Sequence, residues 1–216
     1  MSHRYKSHIF IGFGLVVAVI SFYLYIQFTH TSSFQTFLSW SKENIVIFCI
    51  TIFVLKVIGT VYPPLPGGLL TLGAIPIIGW FPAYVIDFLG SATAGSIDYY
   101  LGYKYGMPFL KKILDQGTLE SIQRLKIKKD KELESIFVMR LLLGSTIIEA
   151  INYGAGLLKV SYKNFLLGSI GSHLLYGIPA FYVGESLIKG ENVVYSLISI
   201  VFTVFIFWKI KGRYFE

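Results

Sequence analysis

Apolar and polar residues fall along this chain in long blocks rather than short periods. Residues 9–28 form an apolar run of about the ~20 residues that a membrane-spanning helix needs. Arg4 and Lys6 precede it, and it ends in Tyr25-Ile26-Gln27-Phe28 rather than at a small-residue cleavage site, so it predicts a retained signal anchor. Residues 29–44 are a polar linker with Lys42 and Glu43. The next apolar run, 45–58, is short and contains Lys56. It is followed by Tyr62-Pro63-Pro64-Leu65-Pro66-Gly67-Gly68, where prolines and glycines stop any helix. Residues 69–80 are apolar again and too short to span alone. Two short arms on a broken tip predict a re-entrant hairpin over 43–80, which a bilayer tolerates only where protein or a cavity covers the tip.

Residues 82–104 make the second full span. Asp87, Gly90, Ser91, Ala94, Asp98 and Gly102 recur at spacings of three and four and therefore share one helical face. Small residues there let another helix approach. The carboxylates are candidates for a proton or charge relay, unless they lie near an interface and are simply hydrated. Residues 105–135 are polar and mostly basic. Ile113, Leu114, Leu119, Ile122 and Leu125 give them an apolar stripe, which predicts an amphipathic helix resting on anionic headgroups, or else a solvated loop.

The stretch from Arg140 to Gly156 is apolar yet carries Arg140, Glu149 and Asn152. Charges at membrane depth face a protein interior or a water path. On a straight helix, at 100° per residue, Arg140 and Glu149 stand on opposite faces. A break at Gly144-Ser145 would bring them together, so 136–158 is predicted to be a second hairpin. A straight span with a snorkelling arginine is the alternative. Residues 164–186 are the third span, with Gly168, Gly171 and Ser172 on a small face and Pro179 as a kink; His173 reads as a packing residue. Residues 193–208 are the last span, before the basic Lys209, Lys211 and Arg213. The organisation is thus an anchor and linker (1–42), a central domain (43–190) and a terminal helix with its tail (191–216).

Composition agrees with this layout. The chain of 216 residues is 54% hydrophobic and only 14% charged, against about 25% charge in soluble domains. It reads as an all-α polytopic membrane protein with about four transmembrane helices and two opposed re-entrant hairpins. If the N-terminus is cytoplasmic and each hairpin returns to its own side, nearly every lysine and arginine outside the membrane falls inside the cell, and only Lys42 and Lys189 fall outside. That predicts the cell membrane as the location, with both termini cytoplasmic. The net charge of +7 suits anionic headgroups. No basic stripe interleaved with aromatics points to nucleic acid. The single cysteine, Cys49, has no partner for a disulfide and no metal-ligand spacing, and no cofactor motif is present.

An internal repeat underlies the layout. Gly73-Ala74, Phe81, Tyr84, Gly90-Ser91 and Ile97 recur 81 residues later as Gly154-Ala155, Tyr162, Phe165, Gly171-Ser172 and Ile178. Each unit is a hairpin followed by a span. The first hairpin enters from outside and the second from inside, an inverted repeat of the kind transporters use.

Several of these stretches resemble one family. Pro64-Leu65-Pro66-Gly67-Gly68, Gly90-Ser91-Ala92-Thr93-Ala94-Gly95, Arg140-Leu141, Ile151-Asn152-Tyr153-Gly154-Ala155-Gly156-Leu157, Phe165 and Gly171 are similar to the VTT-domain family, also called SNARE-associated or DedA-like. The chain looks nearer its Tvp-like branch, and the resemblance covers about 58–187. It implies two facing re-entrant hairpins and lipid transport: scrambling in some members, translocation of lipid phosphate or phospholipid in others. Arg140 matches the arginine of the family's second hairpin. The sequence departs from the family at the first tip, which has no carboxylate but only Lys56 before it. It departs again at Leu143, which stands where the family has proline.

The leading expectation is therefore a non-enzymatic translocator or scramblase of a lipid or lipid phosphate. Arg140 would engage the phosphate, since its planar fork holds such a group by two parallel hydrogen bonds. The tip residues Pro64, Pro66, Gly67 and Gly68 would border the site, Asn152 and Tyr153 would hydrogen-bond its polar end, and Asp87, Asp98 or Glu149 would relay charge or protons. Partners would be membrane lipids with anionic or phosphate headgroups, with a homo-oligomer left open. Two alternatives remain. One is a structural or assembly protein in which Arg140–Glu149 is a buried ion pair. The other is a lipid-phosphate enzyme, against which stands the lack of any built nucleophile–base or metal motif.

Overall fold

A computed structural model describes residues 31–62, 67–125, 127 and 129–190, with Val194, Ile198 and Val201 beyond them. The predicted anchor 9–28, the prolines of the first tip and, apart from those three helical positions, the last span 193–208 lie outside the described residues. The described residues are helical and contain no strand. The chain divides into two compact units, Met1–Ile47 and Phe48–Glu216.

Helix α1 runs over Ser32–Glu43, and the Thr31 hydroxyl caps it by accepting from the Phe34 N–H at 3.2 Å. Helix α2, Ile45–Val61, is followed by the Pro/Gly tip. Beyond the tip, α3 (Gly67–Gly73) and α4 (Ile75–Ile78) are short. Gly79 then takes a positive φ of 82° and opens α5, Trp80–Ile113. The first predicted break is thus flanked by two apolar helical arms.

Helix α5 contains the second predicted span and continues past it. Its backbone kinks at Gly106, where φ is 63°, and Pro108 follows. The predicted face is the buried one: Asp87, Gly90, Ser91, Ala94, Asp98 and Gly102 are all covered. The hydrated-interface alternative for the two aspartates is therefore excluded, since their exposures are 5% and 0%.

The polar segment 105–135 differs from its prediction. Most of it is helical, with α6 at Gln116–Arg124. Its apolar stripe does not face headgroups. Leu110, Leu114, Leu119 and Ile122 are buried together with Ala150 and Tyr153. The stripe that suggested a lipid surface finds a protein surface instead, because periodicity reveals an apolar face but not what covers it.

Helix α7 is Glu132–Leu157, and helical assignment continues through Gly144, where a break was predicted. Yet α7 cannot be straight. A straight helix would hold the Arg140 and Asn152 Cα atoms ~18 Å apart, farther than the two side chains reach together, and Arg140 Nη1 donates to Asn152 Oδ1. Ile136 and Ile151 likewise share one buried cluster. The chain therefore bends sharply between these positions.

Helix α8, Tyr162–Lys189, matches the third span with slightly longer ends. Among the described residues it is the one helix that by itself is long and apolar enough to cross a membrane. Helices α5, α7 and α8 pack closely because glycines line their crossings. A Cβ on Gly156 would collide with the Tyr99 carbonyl, one on Gly102 with the Tyr153 carbonyl, and one on Gly168 would stand 2.8 Å from the Leu133 carbonyl oxygen.

Candidate functional site

Two groups of charged side chains lie in the interior between these helices. The first is centred on Asp87 of α5. Lys56 reaches it from α2, with Nζ 2.8 Å from Oδ1 and both side chains under a tenth exposed. The Thr71 hydroxyl of α3 lies 2.6 Å from the same oxygen and donates to it. His173 of α8 places Nε2 3.1 Å from Oδ2. The Tyr176 hydroxyl is 2.9 Å from the other ring nitrogen, Nδ1. Oδ1 is therefore held by both the ammonium and the hydroxyl, while Oδ2 lies beside the imidazole.

Local sequence explains how the lysine gets there. Lys56 lies about one and a half helical turns before the Pro/Gly tip, and Gly90 of α5 lets its aliphatic stem pass: a Cβ on Gly90 would stand 2.5 Å from Lys56 Cγ. Gly68 is beside its end, with a Cβ there 3.9 Å from Nζ. Helices α2 and α3, on either side of the tip, thus meet at one carboxylate.

The second group is centred on Asn152 of α7. Its amide Oδ1 accepts from Arg140 Nη1, and its Nδ2 donates to Asp98 Oδ2 at 3.0 Å. Asn152 and Asp98 are fully buried and Arg140 is 3% exposed. Gly95 of α5 makes room for the amide, since a Cβ there would be 3.4 Å from Nδ2. The asparagine is a neutral spacer that holds an arginine and an aspartate in register without direct contact.

The structure brings most, but not all, of the predicted residues together. Arg140, Asn152, Asp98 and Asp87 are in the interior groups. Tyr153 is fully buried, and its hydroxyl donates to the Val61 carbonyl at 2.8 Å, tying α7 to the end of α2 beside the first tip. Gly67 and Gly68 open α3, while Pro64 and Pro66 lie outside the described residues. Glu149 does not pair with Arg140: it is half-buried, and among the described residues no ion pair joins them. The bend in α7 brings Arg140 to Asn152, three residues beyond the expected partner Glu149.

Lys56, Thr71, His173 and Tyr176 were not predicted as site residues. A signal for the last two was present. Ser169, Ser172, His173 and Tyr176 recur at helical spacing and form a polar stripe on an otherwise apolar helix. Lys56 had none, because its partner is distant in sequence. Among the described residues, no group of three or more His, Cys, Asp or Glu side chains could hold a metal ion.

Each group holds one basic side chain and one carboxyl group, with His173 beside the first. Groups of this kind at membrane depth are costly to bury and mark transport paths or fixed structural pairs. The family model of the VTT domain matches residues 64–186, from the first tip through most of α8. No curated protein and no solved structure matches. The match spans more than half of the chain, which therefore belongs to the VTT-domain family of DedA-type membrane proteins.

Proposed function

We propose that this membrane protein translocates or scrambles a lipid or lipid phosphate past the two buried charged groups. The observation that carries this is their burial: Lys56, Asp87, His173, Arg140 and Asp98 are each at most 6% exposed within a chain of apolar exterior. Two units of the repeat supply them. Helix α5 starts at Trp80, next to Phe81, and α8 starts at Tyr162, the repeat equivalent of Phe81. This supports an inverted pair of units, each a re-entrant hairpin followed by a span, and the bend of α7 supports the second hairpin.

In this reading the structure is a closed state. Arg140 is covered and committed to Asn152, so a headgroup phosphate reaches its fork only when the arms around it separate. Asp98 and Asn152 then hold the guanidinium ready, and Asp87 with Lys56 keeps the opposite group neutral meanwhile. Gly67 and Gly68 border the path. No covalent step is assigned to any residue. The cell membrane, cytoplasmic termini and anionic or phosphate-bearing lipids complete the proposal.

The test is reconstitution into vesicles with a fluorescent phospholipid or polyprenyl phosphate in both leaflets. Headgroup access to a membrane-impermeant reagent should extend beyond the outer leaflet when the protein is present. Protection of the inner leaflet at every protein density, with both lipids, would leave a structural role as the better account.

A further inference from the structure

Ser91 and Ser169 are polar residues that neither charged group uses. Both are buried, at 4% and 7% exposure, and among the described residues their Oγ atoms have no hydrogen-bond partner. The same is true of Arg140 Nε and of His173 Nε2, whose contact with Asp87 is close but not aligned as a hydrogen bond. These four residues line one cavity of about 10 Å³, whose other walls are Phe88, Ala92 and Ile170.

Each buried polar atom left without a partner costs about 1–3 kcal/mol. Four around one cavity form the kind of polar, roomy spot that holds interior water, and one water needs roughly 10–15 Å³. Donor and acceptor types agree. Arg140 Nε can only donate. With the Tyr176 hydroxyl donating to Nδ1, His173 Nε2 carries the ring hydrogen, which a water in the cavity shares with Asp87 Oδ2 3.1 Å away. The serine hydroxyls can accept. Water accepts twice and donates twice, so it satisfies all four, whereas a phosphate group is too large for the space.

We propose that Ser91, Ser169, Arg140 and His173 form a buried binding site for a single water molecule, which joins the Lys56–Asp87–His173 group to the Arg140–Asn152–Asp98 group. The joined chain runs from α2 through α5, α8 and α7 and back to α5. It transmits position rather than protons, because neither the guanidinium nor the Asn152 amide accepts a proton and passes it on. Its effect is to hold the Arg140 fork on its Nε side, while Asn152 holds it at Nη1. Ser91 and Ser169 are thus positioning residues. This inference concerns the interior of the protein alone and stands whether or not a lipid is transported.

X-ray-generated hydroxyl-radical labelling of the purified full-length protein, read by mass spectrometry, tests it directly. Bound water produces radicals where it sits. His173 should therefore be oxidised in the wild type, and after rapid mixing into H₂¹⁸O it should gain the heavy isotope later than exposed tyrosines such as Tyr103. In Ser169→Val or Ser91→Val, which fill the space, His173 labelling should fall to the background of the buried Phe165. Should the valine variants fail to fold, the isotope lag in the wild type decides alone. An unlabelled His173 in the wild type, or labelling that both folded valine variants leave unchanged, overturns the proposal.

Discussion

Arg140 is the residue whose role the geometry narrows most. A straight reading of the sequence paired it with Glu149, because charges of opposite sign in an apolar stretch seek each other. The structure gives it an amide instead, with Asp98 one step further on. Two consequences separate binding from buttressing. Arg140→Lys keeps the charge but loses the planar fork, so the protein should fold, at a cost of about 1–3 kcal/mol, and lose most transport. The swap Arg140→Glu with Glu149→Arg should not restore it, since Glu149 is not the partner. Transport by purified variants, normalised to folded protein, checks both; rescue by the swap would make the pair structural. The aspartates were legible because their spacing placed them on one small face. Lys56 and His173 were not, because what makes each a site residue is a contact across 31 and 86 positions of sequence with Asp87. A lone lysine or histidine in an apolar run carries no sign of its partner.

At the scale of elements, the packing of α5 against α7 depends on backbone contact rather than on interdigitated side chains. Gly156 meets the Tyr99 carbonyl so closely that any Cβ forces the helices apart. Gly156→Ala should therefore destabilise the protein by about 1–3 kcal/mol, read as a lower thermal midpoint in detergent, and should disturb Asn152 one turn away. An unchanged midpoint would mean that the crossing is looser than described. The stop signals at the first tip were plain in the sequence, as were the small faces. The bend of α7 was legible only as a conflict between Arg140 and an apolar helix, since Gly144 does not interrupt the helical assignment there.

Helix α6 adds a pH-dependent test outside the membrane. Asp115 caps it, accepting from the Thr118 N–H at 3.1 Å and the Thr118 hydroxyl at 2.6 Å. These hydrogen bonds hold its carboxyl below the ordinary aspartate value. A lowered folded value means that the cap contributes fully above the unfolded value and is lost as pH falls through the folded one. Amide exchange in 116–119 should therefore accelerate on acidification through the range below pH ~4, and Asp115→Asn should abolish that acceleration. Exchange that rises equally in the variant would remove the cap from the explanation.

For the whole molecule, the outstanding question is which side each loop faces, because the inverted repeat requires it. The last turn of α5 carries Lys111 and Lys112 and the segment from there to α7 carries Arg124, Lys129 and Lys131, whereas Lys42 is the one lysine or arginine of α1. The bias of such residues toward the cytoplasm predicts α6 inside and α1 outside. Burial of the apolar face of α6 against α7 does not alter this, since Gln116, Gly117 and Glu120 on its other side are exposed. Single cysteines introduced into a Cys49→Ser background decide the matter. Ser33 and Gln116 are both exposed, so access to reagent reflects sidedness rather than burial. On intact cells a membrane-impermeant maleimide should label Ser33→Cys and leave Gln116→Cys unmodified until the membrane is opened. Labelling of Gln116→Cys from outside would put the basic segment on the wrong side. It would then leave the two hairpins entering from sides that no inverted repeat allows.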